Sequence, residues 1–396
     1  MTKETVQELA RRFFEEIVKD RRHLHQHPEL SFQETLTAQY ISTRLSAFGI
    51  EHQTGIGGNG IVALIQGKNP DKHIVALRAD MDALPIQEAN ETPYKSVNPG
   101  VMHACGHDVH SASLLGAARI LHSLRDQFEG TVKCIFQPGE ELLPGGASIM
   151  IKEGVLENPA PAGIFGQHVH PSLPAGTVGF RPGMFMASTD ELYVRVKGRG
   201  GHGAMPHEGV DPIVLTAQII VALQQLVSRI ADPVVPTVLT FGKIQSDGGA
   251  TNIIPGEVYL EGTFRTMDEN WRREAHVRMK KIAEGIAEAY GGSCEFDIHH
   301  GYPALINEPK LTRRARAAAI EYLGKEHVID LPPRMTAEDF AYYSQVIPAC
   351  FYRLGTANPE GGTNSPVHTP TFDIDESALE IGAGLMAWTA LQELHH

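Results

Sequence analysis

The stretch Met102-His103-Ala104-Cys105-Gly106-His107-Asp108-Val109-His110 constrains the fold more than any other. Its nine residues hold three histidines, a cysteine and an aspartate around a central glycine. Thiolate sulphur and neutral imidazole are the usual protein ligands of zinc and its late first-row neighbours. Cys105 and His107 can turn toward one point only if the backbone between them is not helical, and Gly106 supplies that freedom. Taken alone, the stretch also reads as a histidine-rich turn beside a buried thiol. Its chemistry therefore depends on what the rest of the chain contributes.

With 396 residues, 42 % of them hydrophobic and 20 % charged, the chain is long enough for two domains. The first twenty residues place Arg11, Arg12, Glu15 and Glu16 in an amphipathic pattern without an apolar signal core. No later window reads as approaching a membrane-spanning run, so the expectation is a soluble, cytoplasmic protein with no membrane partner. Cys105, Cys134, Cys294 and Cys350 are widely spread and read as reduced thiols, which leaves Cys105 able to bind metal as a thiolate. A net charge of −13 without a basic run argues against nucleic acid and anionic lipid as partners.

In chain order, residues 4–20 read as a helix that continues through Arg21-Arg22-His23-Leu24-His25-Gln26 until Pro28 discourages it at His27. His23, His25 and His27 read as packing and hydrogen-bonding groups at a helix end, because no acidic residue is interleaved. A second helix follows over 33–48, then strands over 60–66 and 73–78. The latter runs into Arg78-Ala79-Asp80-Met81-Asp82, two carboxylates on one face of an extended chain. One or both suit the N–H of a metal-bound imidazole, and Asp108 beside His107 suits the same task. After a helix over 111–128, the apolar strand 131–137 ends at Pro138-Gly139-Glu140-Glu141. Adjacent side chains leave an extended chain on opposite sides, so one glutamate can bind metal while the other acts as base. The strand 162–168 ends at His168-Val169-His170, either histidine being a candidate ligand, with His168 nearer the strand end. Such clusters at successive strand ends converge in a parallel α/β sheet.

From about 187 the texture changes. A strand over 191–197, a helix from Asp211-Pro212 to 229, strands over 237–245 and 257–265, a helix over 269–290 and a strand over 293–299 form a ferredoxin-like β-α-β-β-α-β module. It reads as an insertion. Beyond it come a helix over 308–323, a strand near 327–330, a helix opening near Glu338, a strand over 350–354 and a last helix from about Glu376. Before that helix, His368 lies between Pro366 and Pro370.

Assembled, the chain resembles the co-catalytic metallopeptidase family of aminoacylases and glutamate-type carboxypeptidases. Within it the likeness is to the amidohydrolase branch of hippurate, N-acyl-amino-acid and auxin-conjugate hydrolases. The motifs that carry this are His23-Leu24-His25-Gln26-His27-Pro28-Glu29, Arg78-Ala79-Asp80-Met81-Asp82-Ala83-Leu84-Pro85, the Cys105-Gly106-His107-Asp108 core, Phe136-Gln137-Pro138-Gly139-Glu140-Glu141, Gly201-His202-Gly203-Ala204-Met205-Pro206-His207 and Thr251-Asn252-Ile253-Ile254-Pro255. The resemblance implies an α/β fold with a mixed-sheet catalytic domain of zinc-peptidase type, 1–186 and 300–396. An inserted ferredoxin-like lid and dimerisation domain, 187–299, completes it.

The resemblance further implies Cys105, His107, Glu141, His168 and His368 as ligands of two divalent metal ions, with Cys105 bridging. The metal would be manganese or zinc, or cobalt in vitro. Glu140 becomes the general base for a metal-activated water, and His202 an oxyanion donor that reaches across a homodimer or tetramer. Asn252 is a second donor, and Arg265 is matched to a substrate carboxylate. The implied reaction is hydrolysis of small N-acyl-L-amino acids. A dipeptidase or carboxypeptidase of the same family is the alternative, and a non-catalytic metal-dependent binder is disfavoured because Glu140 is retained next to Glu141.

Overall fold

A computed structural model describes residues 2–358 and 364–396. The chain divides into two compact units. The first takes residues up to Gly183, Ile306–Pro332 and Asp339–His396, and the second Met184–Leu305 and Pro333–Glu338. The second unit is thus wider than the 187–299 span read from the sequence, because Pro333–Glu338 returns to it after the chain has left.

The first unit is built on an eight-stranded sheet in the order His52–Ile56, Gly60–Gln66, Thr131–Gln137, Ile74–Asp80, Gly163–Pro174, Ala349–Ala357, Val178–Phe180, Val328–Asp330. Its middle is parallel, Ile74–Asp80 running with Thr131–Gln137 and Gly163–Pro174, and Ala349–Ala357 with Gly163–Pro174. Gly60–Gln66 joins antiparallel. Every residue of Thr131–Gln137 and of Ala349–Ala357 is buried, as in strands covered on both faces, so they lack the apolar–polar alternation of a half-exposed strand and bury Lys133 and Arg353 with the rest. The helices Lys3–Gln26, His107–Ser123 and Ala378–Glu393 pack on one another within this core.

Parallel strands end on one side, and here that side carries the chemistry. Asp80 lies opposite Gln137, the last residue before the Glu140 loop. The pairing of Ile74–Asp80 with Gly163–Pro174 stops at Arg78 opposite Gly166, two residues before His168. His168 is not at a strand end: the strand continues to Pro174 because Ala349–Ala357 still pairs with it there.

Two helix boundaries differ from the periodicity reading. The helix expected from Ser111 starts at His107, directly after Gly106 at φ +81°. That glycine sets the turn, and a Cβ on it would lie 2.7 Å from Val169. No capping side chain marks the start, so the sequence gives no sign of it. The helix expected from Glu338 shrinks to the single turn Ala341–Ser344.

In the second unit a four-stranded antiparallel sheet runs Thr237–Ser246, Glu257–Thr266, Asp190–Lys197, Ser293–His300, the ferredoxin-like order. Asp190–Lys197 alternates between buried and more exposed residues, as a strand with one packed face does. Asp211 caps the helix Pro212–Gln225 by accepting the Ile213 N–H, with Pro212 at its first position.

One expectation about this helix does not hold. Pro212–Ile230, 19 residues at mean hydropathy 1.6, is long and apolar enough to cross a membrane by length and composition. Leu215, Ile219, Leu223 and Leu226 from it are buried in the unit's core, while Ile213, Val214 and Val221 are exposed.

Candidate metal centre

Four chain segments of the first unit bring donor atoms together. Gly106 turns the chain between Cys105 and His107 so that both side chains face the strand carrying His168. The loop after Thr131–Gln137 brings Glu140 and Glu141. The loop after Ala349–Ala357 brings His368, whose N–H donates to Ala104 O at 2.8 Å and so fixes it over the Cys105 turn. His368 sits at φ +63°, a left-handed conformation costly for a residue with a Cβ and characteristic of functional sites.

Cys105 Sγ lies 3.5 Å from His168 Nε2 and 3.3 Å from His368 Nε2. Glu141 Oε1 is 3.1 Å from His368 Nε2, and Glu140 Oε2 is 3.9 Å from His107 Nε2. One donor triplet with its ligand atoms within 4.8 Å of one another is His107, Glu140 and Glu141, and two more are Cys105, His107 and His168, and Cys105, Glu141 and His368. The thiol belongs to both of the latter.

The ring orientations fit a bound cation. His107 donates its Nδ1–H to Asp82 Oδ1 at 3.1 Å, and its buried Nε2 makes no hydrogen bond. His168 donates its Nδ1–H to Val169 O at 2.8 Å, which leaves the Nε2 lone pair facing Cys105. Soft sulphur, three imidazoles and a carboxylate suit divalent first-row metals.

Without a cation the cluster is electrostatically uncomfortable. Burial pushes the Cys105 thiol up, and Glu141 adds to this. Hydrogen bonds to Cys105 and Glu141 raise His368 to about 10. Burial and the nearby Arg353 hold His168 well below its ordinary range. For His107 burial opposes the charge, but Asp80 and Asp82 outweigh it and raise the ring well above its usual value.

The carboxylates divide differently from the sequence reading. Asp82 faces His107. Asp80 stands 3.9 Å from His107 Nδ1 and instead accepts His110 Nδ1–H at 2.6 Å and Arg78 Nη1 at 2.6 Å. His110 in turn accepts the Val169 N–H at 2.9 Å, next to His168. Asp108 does not reach a ligand imidazole: its Oδ2 accepts Arg21 Nε and His25 Nδ1, both at 2.8 Å. Its side chain points away from His107 because the two are consecutive residues of one helix. His25, buried, also donates Nε2–H to Glu88 at 3.2 Å, so acidic partners come to it from other elements rather than from its own.

Sequence reasoning passed over Arg78, His110, Gln137 and Asp339. All four are buried polar residues in this network, and a cation on a strand otherwise read as core was the available signal for Arg78.

In the second unit, Gly201–His202 pairs antiparallel with Ile253–Ile254, and Gly203 N–H donates to Asn252 O at 2.7 Å. His202 and Asn252 are therefore neighbours, both exposed. Arg265 is half-buried on Glu257–Thr266 and donates to Met335 O at 3.1 Å.

The sequence profile described as Peptidase family M20/M25/M40 matches residues 76–392. An N-acyl-L-amino acid amidohydrolase of Geobacillus stearothermophilus is 45 % identical over 78 % of this chain and 82 % of its own. Thermostable carboxypeptidase 2 of Saccharolobus solfataricus is 39 % identical over 95 % of both chains. Among solved structures, the Bacillus subtilis YXEP protein, described as a dinuclear metal binding peptidase, superposes with a TM-score of 0.85 at 36 % identity, covering 97 % of this chain and 99 % of that one. The chain is a hydrolytic enzyme and belongs to peptidase family M20/M25/M40.

Proposed function

We propose that the enzyme hydrolyses the amide bond of small N-acyl-L-amino acids, acetyl, benzoyl or similar, releasing a carboxylic acid and a free amino acid. The observation that carries this reading is the thiol of Cys105 standing in two donor triplets, with Glu140 next to them in a third beside His107 and Glu141. Cys105, His107, Glu141, His168 and His368 would hold two divalent ions, manganese or zinc, with cobalt serving in vitro. When bound, such ions polarise a scissile carbonyl and lower the pKa of water.

The remaining work falls to the chain. Asp82 orients His107, and Val169 O fixes the His168 ring. Glu140, nearly buried and 3.9 Å from His107 Nε2, takes a proton from the attacking water on its carboxylate and returns it to the leaving nitrogen. His202, with Asn252, donates to the developing oxyanion of a neighbouring subunit, and Arg265 receives the substrate carboxylate.

That arrangement needs a homodimer or tetramer formed through the second unit. Thr237–Ser246 is an edge strand with Ile244 exposed, and Val214 and Val221 on the helix Pro212–Gln225 are exposed as well. All four cysteines are free, which suits a reducing compartment such as the cytoplasm.

A peptide substrate is the second reading, and the carboxypeptidase relative favours it. A screen of acetyl-, benzoyl- and indoleacetyl-amino acids against dipeptides and C-terminally free peptides separates them. Turnover of acyl amino acids is expected to be lost on chelation and restored by manganese, cobalt or zinc. Activity confined to peptides would replace the acyl-amino-acid reading with the peptidase one.

A further inference from the structure

The loop that carries Glu140 has no regular structure. It leaves the strand Thr131–Gln137, passes Pro138, Gly139, Glu140, Glu141, Leu142, Leu143, Pro144 and Gly145, and enters the helix Gly146–Lys152. A base at hydrogen-bond range must nonetheless be held to within fractions of an ångström. Leu142 and Leu143 are exposed, so apolar packing around them does not fix the loop.

Buried carboxylates tie it instead. Glu34 Oε1 accepts the Gly139 N–H at 2.8 Å, and Asp82 Oδ2 accepts the Glu141 N–H at 2.9 Å. The third, Asp339, is fully buried and reaches both ends at once. Its Oδ2 accepts Gln137 Nε2 at 2.7 Å, where the loop begins, and Ala147 N–H at 2.9 Å, where it has just ended. Its Oδ1 accepts Arg78 Nη2 at 2.6 Å, and Arg78 also holds Asp80, so one guanidinium stands between two carboxylates. The Asp339 N–H faces Glu140 Oε1 at 3.4 Å, long for a hydrogen bond but directed at the carboxylate of the proposed base.

We propose that Asp339 is a positioning residue for the reaction: it clasps the two ends of the Glu140 loop and aims the Glu140 carboxylate. This rests on the reading of Glu140 as general base. Asp82 would be a poor test of such a role, because it also holds His107. Asp339 works through Gln137, Ala147, Glu140 and Arg78, none of them a proposed metal ligand.

The variant Asp339→Asn keeps the shape of the clasp. Its carbonyl oxygen in the Oδ1 place can still accept from Arg78 and from Gln137 Nε2, but its amide N–H groups in the Oδ2 place meet the Ala147 N–H, and the second contact of Gln137 Nε2, donor to donor, so the Ala147 end is released and the Gln137 end loosened. The expected result is a fall in kcat of about 10–10²-fold at unchanged KM and unchanged metal content, with unfolding that stays cooperative at lower stability because the buried Arg78 loses one of its two carboxylates. A double-mutant cycle then separates positioning from general stability. In a Glu140→Gln background, Asp339→Asn is expected to cost nothing further, since the group it aims is already disabled.

Full additivity of the two losses, loss of rate in proportion to loss of metal, or wild-type kcat in Asp339→Asn would each overturn the role of Asp339 while leaving Glu140 as base. Wild-type turnover in Glu140→Gln alone would remove the base assignment, and the positioning role with it. Should Asp339→Asn fail to fold, Gln137→Met releases the other end of the loop, at the cost of one hydrogen bond from Arg78 Nε, and is scored by the same cycle.

Discussion

Glu140 and Glu141 are neighbours in sequence with different surroundings. Glu141 is tied through its N–H to Asp82 and its carboxylate lies against His368, whereas the Glu140 carboxylate lies between Asp339 N–H and His107 Nε2. Glu140→Gln preserves shape and removes the proton acceptor, so metal is expected to stay while turnover falls about 10²–10⁴-fold. Glu141→Gln is expected to weaken metal binding first. Metal analysis and rate on the same samples decide, and the opposite pattern exchanges the roles. Proton release gives a second check. Hydrogen bonds that His368 donates to Cys105 and Glu141 raise its pKa to about 10, which favours the protonated ring at neutral pH, whereas a cation needs it neutral. Metal affinity is therefore expected to rise as pH rises from 6 toward 9, with protons released on binding. Calorimetry in buffers of different ionisation enthalpy measures that release; pH-independent affinity would contradict it. At this scale Cys105 and His107 were legible as candidate donors because Gly106 lets both turn to one side, and Glu140-Glu141 because neighbours on an extended chain face opposite ways, while the roles assigned to them came from the resemblance. Arg78 and Asp339 were not, since a charged side chain reveals its partner only once a strand and a turn 261 residues apart in sequence meet.

Between elements, the helix Lys3–Gln26 is clamped to the start of His107–Ser123 by the Arg21–Asp108 pair, and Arg21 also donates to Asp373 at 2.9 Å. Burial alone would raise Asp108, but Arg21 and His25 more than offset it and hold its carboxyl far below the usual range. A depressed carboxylate contributes stability that is present above its unfolded pKa, near 4, and is lost as pH falls toward the folded value. Arg21→Met leaves Asp108 short of its charge partner in the interior and is expected to destabilise by about 3–5 kcal/mol, with a weaker acid dependence of stability below pH 4. Denaturant titrations at pH 7 and at low pH test both parts. Helix and strand existence followed from periodicity, yet the start at His107 did not. A left-handed glycine with no capping side chain gives the pattern no edge to detect. The Pro212–Ile230 helix shows the converse, its outer face carrying Ile213, Val214 and Val221 among its glutamines, so composition alone misjudges its surroundings.

For the molecule as a whole, the sequence order of strands in the second unit identified a ferredoxin-like module, because each of its strands pairs within a contiguous stretch. The same order could not reveal that Pro333–Glu338 rejoins that unit, since six residues without periodicity carry no signal of where they pack. The proposed sharing of sites between subunits has a direct test. His202→Ala and Glu140→Gln proteins, each inactive, are mixed under conditions of subunit exchange, and hybrids with one intact site are expected to regain a substantial fraction of activity. No recovery despite demonstrated exchange would return His202 to its own subunit or to no catalytic role.

The position of Ala349–Ala357 between Gly163–Pro174 and Val178–Phe180 has a consequence for the chain while it is being made. Gly163–Pro174 can pair with Ile74–Asp80 early, but its other edge waits for the 174 residues that separate Pro174 from Ala349. At roughly 5–20 residues per second that wait lasts on the order of ten to thirty seconds, during which the second unit's main segment emerges whole. Throughout it the nascent sheet offers an unpaired strand edge to any neighbouring chain. The ribosome-bound stage, rather than the finished fold, is thus where this sheet is expected to be most open to aggregation.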